Sequence, residues 1–187
     1  MASTMRAWTR SAASLCAMLA LAGCDPLRHQ VPGQLVVREA RIVDVADGTQ
    51  LDLDIDCQLN GPMSDALEHG IPLTLGIEID ASGRAAPPPQ RLTLELRYFP
   101  LSRRYQLRES DGVVVRSFSA YGALFDALAT LRMPLPDAFA GLPDGTRVRV
   151  RVGLDHGALP GPLRLPAILE PAWRLVAPEY AWTVAAG

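Results

Sequence analysis

Cys24 closes the tetrad Leu21-Ala22-Gly23-Cys24, and a cysteine in that setting has one reaction open to it, acylation of its thiol with cleavage of the chain just ahead of it. The tetrad resembles the bacterial lipobox. Arg6 and Arg10 supply a basic n-region, and Ser11 to Ala22 is an apolar run of signal-peptide length, too short to span a bilayer. Residues 1–23 therefore read as a signal peptide, Leu21, Ala22 and Gly23 as lipobox positions, and Cys24 as the lipidated first residue of the mature chain. The expected address is periplasmic, held to a membrane through the lipid on Cys24. Asp25, directly after it, resembles the retention signal of enterobacterial lipoproteins, which favours the inner membrane over the outer.

The other reactive groups are sparse. Cys16 leaves with the leader, so Cys57 has no disulfide partner, and Ile55 and Leu59 at period two place its thiol on an apolar strand face. Asp52-x-Asp54-x-Asp56 mimics the start of a calcium loop, yet the sixth and twelfth positions are Cys57 and Met63 where glycine and glutamate are required. His29, His69 and His156 sit at no ligand spacing. Asp155 and His156 are the sole candidate acid-base pair, and sequence neighbours on a strand point to opposite faces. Ser64 and Ser119 read as helix caps and Ser110 as a turn residue; no nucleophile elbow or Ser-x-x-Lys occurs. The chain has no lysine, which removes P-loop, Schiff-base and Ser-Lys chemistry. No catalytic residue, metal site or cofactor is expected. Two of the 18 basic residues leave with the leader, and the remaining arginines face 20 acidic residues, so nucleic acid is not an expected partner.

The elements that must carry these groups are mostly strands. Residues 24–34 hold two prolines, a glycine and no periodicity and read as a lipidated tether, followed by one β-rich domain over 35–187. Leu35–Val45 and Leu51–Leu59, the second cleanly two-faced, read as strands joined across Ala46-Asp47-Gly48-Thr49, predicting a hairpin. Further strands are predicted at Ile71–Ile79, Arg91–Phe99, Arg103–Glu109, Val113–Phe118 and Thr146–Asp155. Helices are predicted at Asn60–His69, stopped by Gly70, and at Ser119–Leu131, ending before Pro134. Trp173, Leu175, Tyr180, Trp182 and Val184 predict a closing strand packed on the core. The whole reads as a mainly β fold with two short helices, an antiparallel β-sandwich-like or strongly bent sheet. The aspartate ladder at 52, 54 and 56 and the arginine ladder at Arg147, Arg149 and Arg151 match in number and period, which predicts that their strands are neighbours.

Several segments together resemble the family known as domain of unknown function 4390. They are Ser64-Asp65-Ala66-Leu67 with Gly70-Ile71-Pro72-Leu73, Leu101-Ser102-Arg103-Arg104-Tyr105, Phe118 with Ala127-Leu128, Leu154-Asp155 with Leu159-Pro160 and Leu163, and Trp173-Arg174-Leu175 with Trp182. The resemblance spans about Val36 to Val184 and implies an exported protein with no assigned catalytic residues, encoded in some members beside a membrane sensor kinase. Where the family carries an aromatic and basic segment between the third and fourth strands, this chain has Ala85-Ala86-Pro87-Pro88-Pro89. The expected function is a non-catalytic binding or adaptor domain for an envelope partner. The alternatives are a carrier of an apolar ligand, which needs a sizeable apolar cavity, and a hydrolase using Asp155 and His156.

Overall fold

The computed structural model describes residues 32–109 and 115–185. The signal peptide, lipobox, Cys24 and nearly all of the tether lie outside the described residues, as do His29 and the Ser110 turn.

Among the described residues nine strands form two antiparallel sheets. The smaller sheet has the order β1-β2-β7, with β1 at Gln34–Val45, β2 at Gly48–Gln58 and β7 at Leu131–Leu135. The larger has the order β6-β5-β4-β3-β8-β9, with β3 at Leu73–Ser82, β4 at Gln90–Phe99, β5 at Arg104–Glu109, β6 at Val115–Phe118, β8 at Arg147–Leu154 and β9 at Tyr180–Thr183. Three helices accompany them: α1 at Gly61–Glu68, α2 at Tyr121–Asp126 and α3 at Gly161–Leu169. The mainly β, sandwich-like reading holds, and the closing strand appears as β9. Among the described residues there are three helices where two were expected: the additional one, α3, lies in a proline-rich stretch, with Pro162 in its first turn and Pro166 inside it. Proline is tolerated in a first turn but costs a hydrogen bond in a helix interior, so composition argued against α3.

Alternation builds the core. Leu51, Leu53, Ile55 and Cys57 of β2 face Leu73, Leu75, Ile77 and Ile79 of β3 and Val148, Val150 and Val152 of β8 within one buried cluster. In β1 the register shifts between Val37 and Glu39, a bulge that keeps Leu35 and Val37 inward before it and Ala40 inward after it. The hairpin forms as predicted, with Val45 paired to Gly48 across Ala46 and Asp47, and Gly48 takes φ 133°, a value few side chains tolerate.

Two sequence expectations fail here. The aspartate and arginine ladders are not neighbours: β2 and β8 belong to different sheets. Asp52 pairs with Arg41 at 3.1 Å and Asp56 with Arg38, both on the hairpin partner β1, while Arg149 pairs with Asp80 and Arg151 with Glu78 at 3.4 Å, both on β3. Cross-strand charge matching operates, but count and period cannot choose among several complementary strands. The second helix is also shorter than expected. Its N-cap is Ala120 with no side-chain hydrogen bond, so Ser119 is not the cap, and after Asp126 the chain tightens into a 3-10 turn at Ala127–Thr130 before entering β7. Pro134 lies within β7 opposite Gln50 and does not simply end a helix; the strand is at a sheet edge, where a missing N–H is tolerated.

α1 is positioned by Asn60. Its Oδ1 accepts from the Met63 N–H at 3.2 Å, and its Nδ2 donates to the Ala172 carbonyl, tying the helix start to the C-terminal segment. Asn60→Ala is expected to cost about 1–2 kcal/mol, a fall of about 2–4 °C in Tm per kcal/mol. Asn60→Asp keeps the cap acceptor and removes the donor, so its thermal unfolding separates the two contributions.

Candidate functional site

Of the groups singled out for chemistry, those among the described residues are engaged in holding the fold. Asp155 accepts from the Gly157 N–H at 2.9 Å as the cap of a 3-10 turn at His156–Ala158, and its other oxygen accepts from Arg91 at 2.9 Å. The His156 ring reaches the Trp173 carbonyl with Nε2 at 3.1 Å. The two side chains therefore go to different partners, Asp155 toward β4 and His156 toward the segment before β9. His69 stands at the end of α1 with Nδ1 2.6 Å from the Asp65 carbonyl. Among the described residues no three His, Cys, Asp or Glu side chains gather at metal-binding range.

Cys57 is the buried thiol that alternation predicts, 7% exposed. Burial, and secondarily the charge of Asp56, pushes it up to about 12. A nucleophilic cysteine needs the opposite shift, toward thiolate, in an accessible and electropositive setting. Ser64, expected as a cap, is the fourth residue of α1, whose cap is Asn60, and it hydrogen-bonds the hydroxyl of Tyr121, whose ionisation is nevertheless held above its ordinary range by burial.

The surface offers clefts of modest size. One of about 280 Å³ lies between the sheets, lined by Leu92 of β4, Met133, Pro134 and Leu135 of β7, and Glu109. Another of about 160 Å³ is bordered by Glu39, Arg41, Asp52 and Arg132 on the small sheet. The inner faces of both sheets are filled by their own side chains.

The most distinctive surface is the outer face of the large sheet. Alternation that sends leucine, isoleucine and valine inward sends Arg91 and Arg97 of β4, Arg104 and Arg108 of β5, and Arg147, Arg149 and Arg151 of β8 outward. These seven arginines share the face with Glu78 and Asp80 of β3 and Glu95 of β4. Arg91, Arg149 and Arg151 are neutralised by Asp155, Asp80 and Glu78. Arg97 lies over the Phe99 ring, 4.9 Å from its centroid. Arg104, Arg108 and Arg147 are exposed and make no ion pair among the described residues.

A pair of glycines, Gly76 and Gly153, faces each other across β3 and β8, and the Arg91 guanidinium lies 3.5 Å from where a Gly76 side chain would begin. The missing side chain at Gly76 leaves room for Arg91 to cross β3 and reach Asp155. Sequence reading found only the β8 arginines. The period-two arginines of β4 and β5 were visible as well, but their convergence with β8 depends on a strand order no local pattern states.

Comparison with protein families matches residues 33–183 to the model described as domain of unknown function 4390. Neither curated proteins nor solved structures gave a match.

Proposed function

The chain belongs to the domain of unknown function 4390 family, and from that premise we propose that it is a lipid-anchored adaptor of the cell envelope that binds an acidic protein partner and performs no reaction on it. The observation that carries the reading is the uncovered arginine face, and above all Arg104, Arg108 and Arg147, which make no ion pair among the described residues of a chain whose formal net charge is −2. Guanidinium groups bind carboxylates bidentately, and a patch of one sign speeds encounter with the opposite sign. The engagement of Asp155, His156 and Cys57 in structural contacts supports a non-catalytic role. The lipobox-like tetrad ending in Cys24 supports the anchor, and an anchored domain meets partners close to the bilayer, such as the periplasmic part of a membrane sensor kinase.

The carrier alternative would use the cleft beside Leu92 and Met133. Its volume of about 280 Å³ falls just below the range for ligand pockets, about 300–1,000 Å³, so the adaptor reading is better supported.

The test is in-cell proximity crosslinking with a clickable fatty acid in the medium, comparing wild type, Cys24→Ala and the triple variant R104E/R108E/R147E. Wild type is expected to take up the fatty acid and capture a partner, Cys24→Ala to lose the label, and the triple variant to keep the label and lose the partner. A labelled Cys24→Ala chain would end the lipoprotein reading. Undiminished capture by the folded triple variant would end the arginine-face reading.

A further inference from the structure

The outer face of α3 is apolar and uncovered. Leu165, Ile168 and Leu169 are 67%, 67% and 72% exposed, and they lie at helical positions i, i+3 and i+4. At 100° per residue, exposed Gly161 and Pro162 join them on one face. The inward face is Ala167, fully buried, and Leu163, half-buried against the core. Charge is confined to the margin, where Arg164 donates from Nε to the Leu159 carbonyl at 2.7 Å. A surface helix ordinarily turns a polar face to water, and one that is apolar on both sides has cover on both. Here the fold supplies only one.

The position of α3 in the fold indicates what supplies the other. α3 packs against the 3-10 turn at Pro171–Trp173, and the chain then runs to Leu175. Gly33, where the chain enters the fold, sits against that same segment: a side chain there would begin 2.8 Å from Leu175 Cδ1 and 3.6 Å from Met63 Sδ. The Asn60 bond to the Ala172 carbonyl fixes the segment to the start of α1. The nine residue-to-residue steps from Cys24 to Gly33 span at most about 30 Å when extended, and α3 itself is about 14 Å long. A lipid on Cys24 therefore holds this end of the domain, with α3 on it, within reach of the bilayer. In sequence Arg164 and the exposed Arg174 lie on either side of Leu165, Ile168 and Leu169, with Glu170 between them, a net positive charge suited to anionic headgroups.

We propose that α3 is a second membrane contact: its Leu165, Ile168 and Leu169 face enters the headgroup region of the membrane that holds the lipidated Cys24, fixing the domain's orientation on the surface. The proposal rests on the lipid-anchor reading above. A lipid chain alone leaves a domain free to tumble within its tether, whereas an interfacial helix with apolar residues below and arginine at its margin sets which faces point away from the membrane.

The experiment uses the full chain, produced with its leader, purified in detergent and returned to vesicles of phosphatidylethanolamine and phosphatidylglycerol. A polarity-sensitive fluorophore is attached to Ile168→Cys in one sample and to Leu101→Cys in another; both sites are exposed, Leu101 in the turn after β4, while Cys57 is buried. The probe at 168 is expected to shift to the blue on reconstitution and to lose most of its emission when the lipids carry brominated acyl chains, with the probe at 101 unchanged by either. If the protein floats with the vesicles and carries an acyl mass while the probe at 168 stays in water, the α3 contact is overturned and the anchor reading stands. A blue shift at 168 that bromolipid does not quench places another protein copy on the face and also overturns the contact. A chain that carries no acyl group and does not float overturns both readings.

Discussion

Phe139→Ala is expected to lower the stability of the domain by about 3–5 kcal/mol, a large share of the roughly 5–15 kcal/mol that holds a domain of this kind together. Phe139 is fully buried although it belongs to no strand or long helix: it ends a 3-10 turn at Asp137–Phe139, between β7 and β8. The turn is pinned from the hairpin, where the Asp44 carboxylate accepts from Thr49 Oγ1 at 2.9 Å and from the Gly141 N–H at 3.3 Å. It is closed from the C-terminus, where Gly145 donates to the Val184 carbonyl at 2.9 Å and Val184 donates to Thr146 at 2.9 Å. Ile42 of β1, Leu142 of the loop, Trp182 of β9 and Val184 just after it border one cleft with Phe139 and pack against the core it belongs to. Truncating the ring leaves a hole that three separately anchored segments cannot collapse to fill. In urea titrations the midpoint is expected to fall with the slope unchanged, and Phe139→Leu to recover most of the loss. A midpoint within experimental error of wild type would show that the ring does not join these segments.

How such a plug arises shows what the sequence could disclose. Leu51 to Cys57 and Val148 to Val152 alternate so regularly that strand, inward face and buried thiol all follow from period two alone. Asn60 and Gly70 mark α1 because a capping side chain and a positive φ, here 82° at Gly70, are local requirements. Phe139 carries no such mark. It sits between Pro136 and Gly141 in a stretch that reads as loop, and it is buried only because three distant segments converge on it. β7 was hidden for a related reason: Pro134 argues against a strand until its edge position is known. The arginine face and the outer face of α3 belong to the same class, since each is made by strand order or by which side of an element the core leaves bare.

Raising the pH through the alkaline range is expected to weaken the fold through Cys57. The thiol moves from 9.0, its ordinary value, up to about 12 in the folded chain, chiefly by burial and then by the charge of Asp56. Asp56 is bonded to Arg38 across the hairpin, and Tyr121 of α2 faces the same region. Below the lower value the thiol is neutral in both states and has no effect on stability. Between the two values the unfolded chain loses its proton while the folded chain keeps it, so unfolding gains about 1.4 kcal/mol per pH unit, to a total of about 4 kcal/mol. Tyr105 and Tyr121 are also held above their ordinary range by burial and add a decline of the same sign at higher pH. The difference between wild type and Cys57→Ala therefore isolates the thiol. Cys57→Ala is less stable at neutral pH, by the cavity it leaves, and its stability should fall less steeply between pH about 9 and 12, so that the two curves converge. Parallel curves in urea denaturation across that window would mean that the thiol ionises without unfolding the strand, and that water reaches β2 from the half-buried side that carries Asp54 and Asp56.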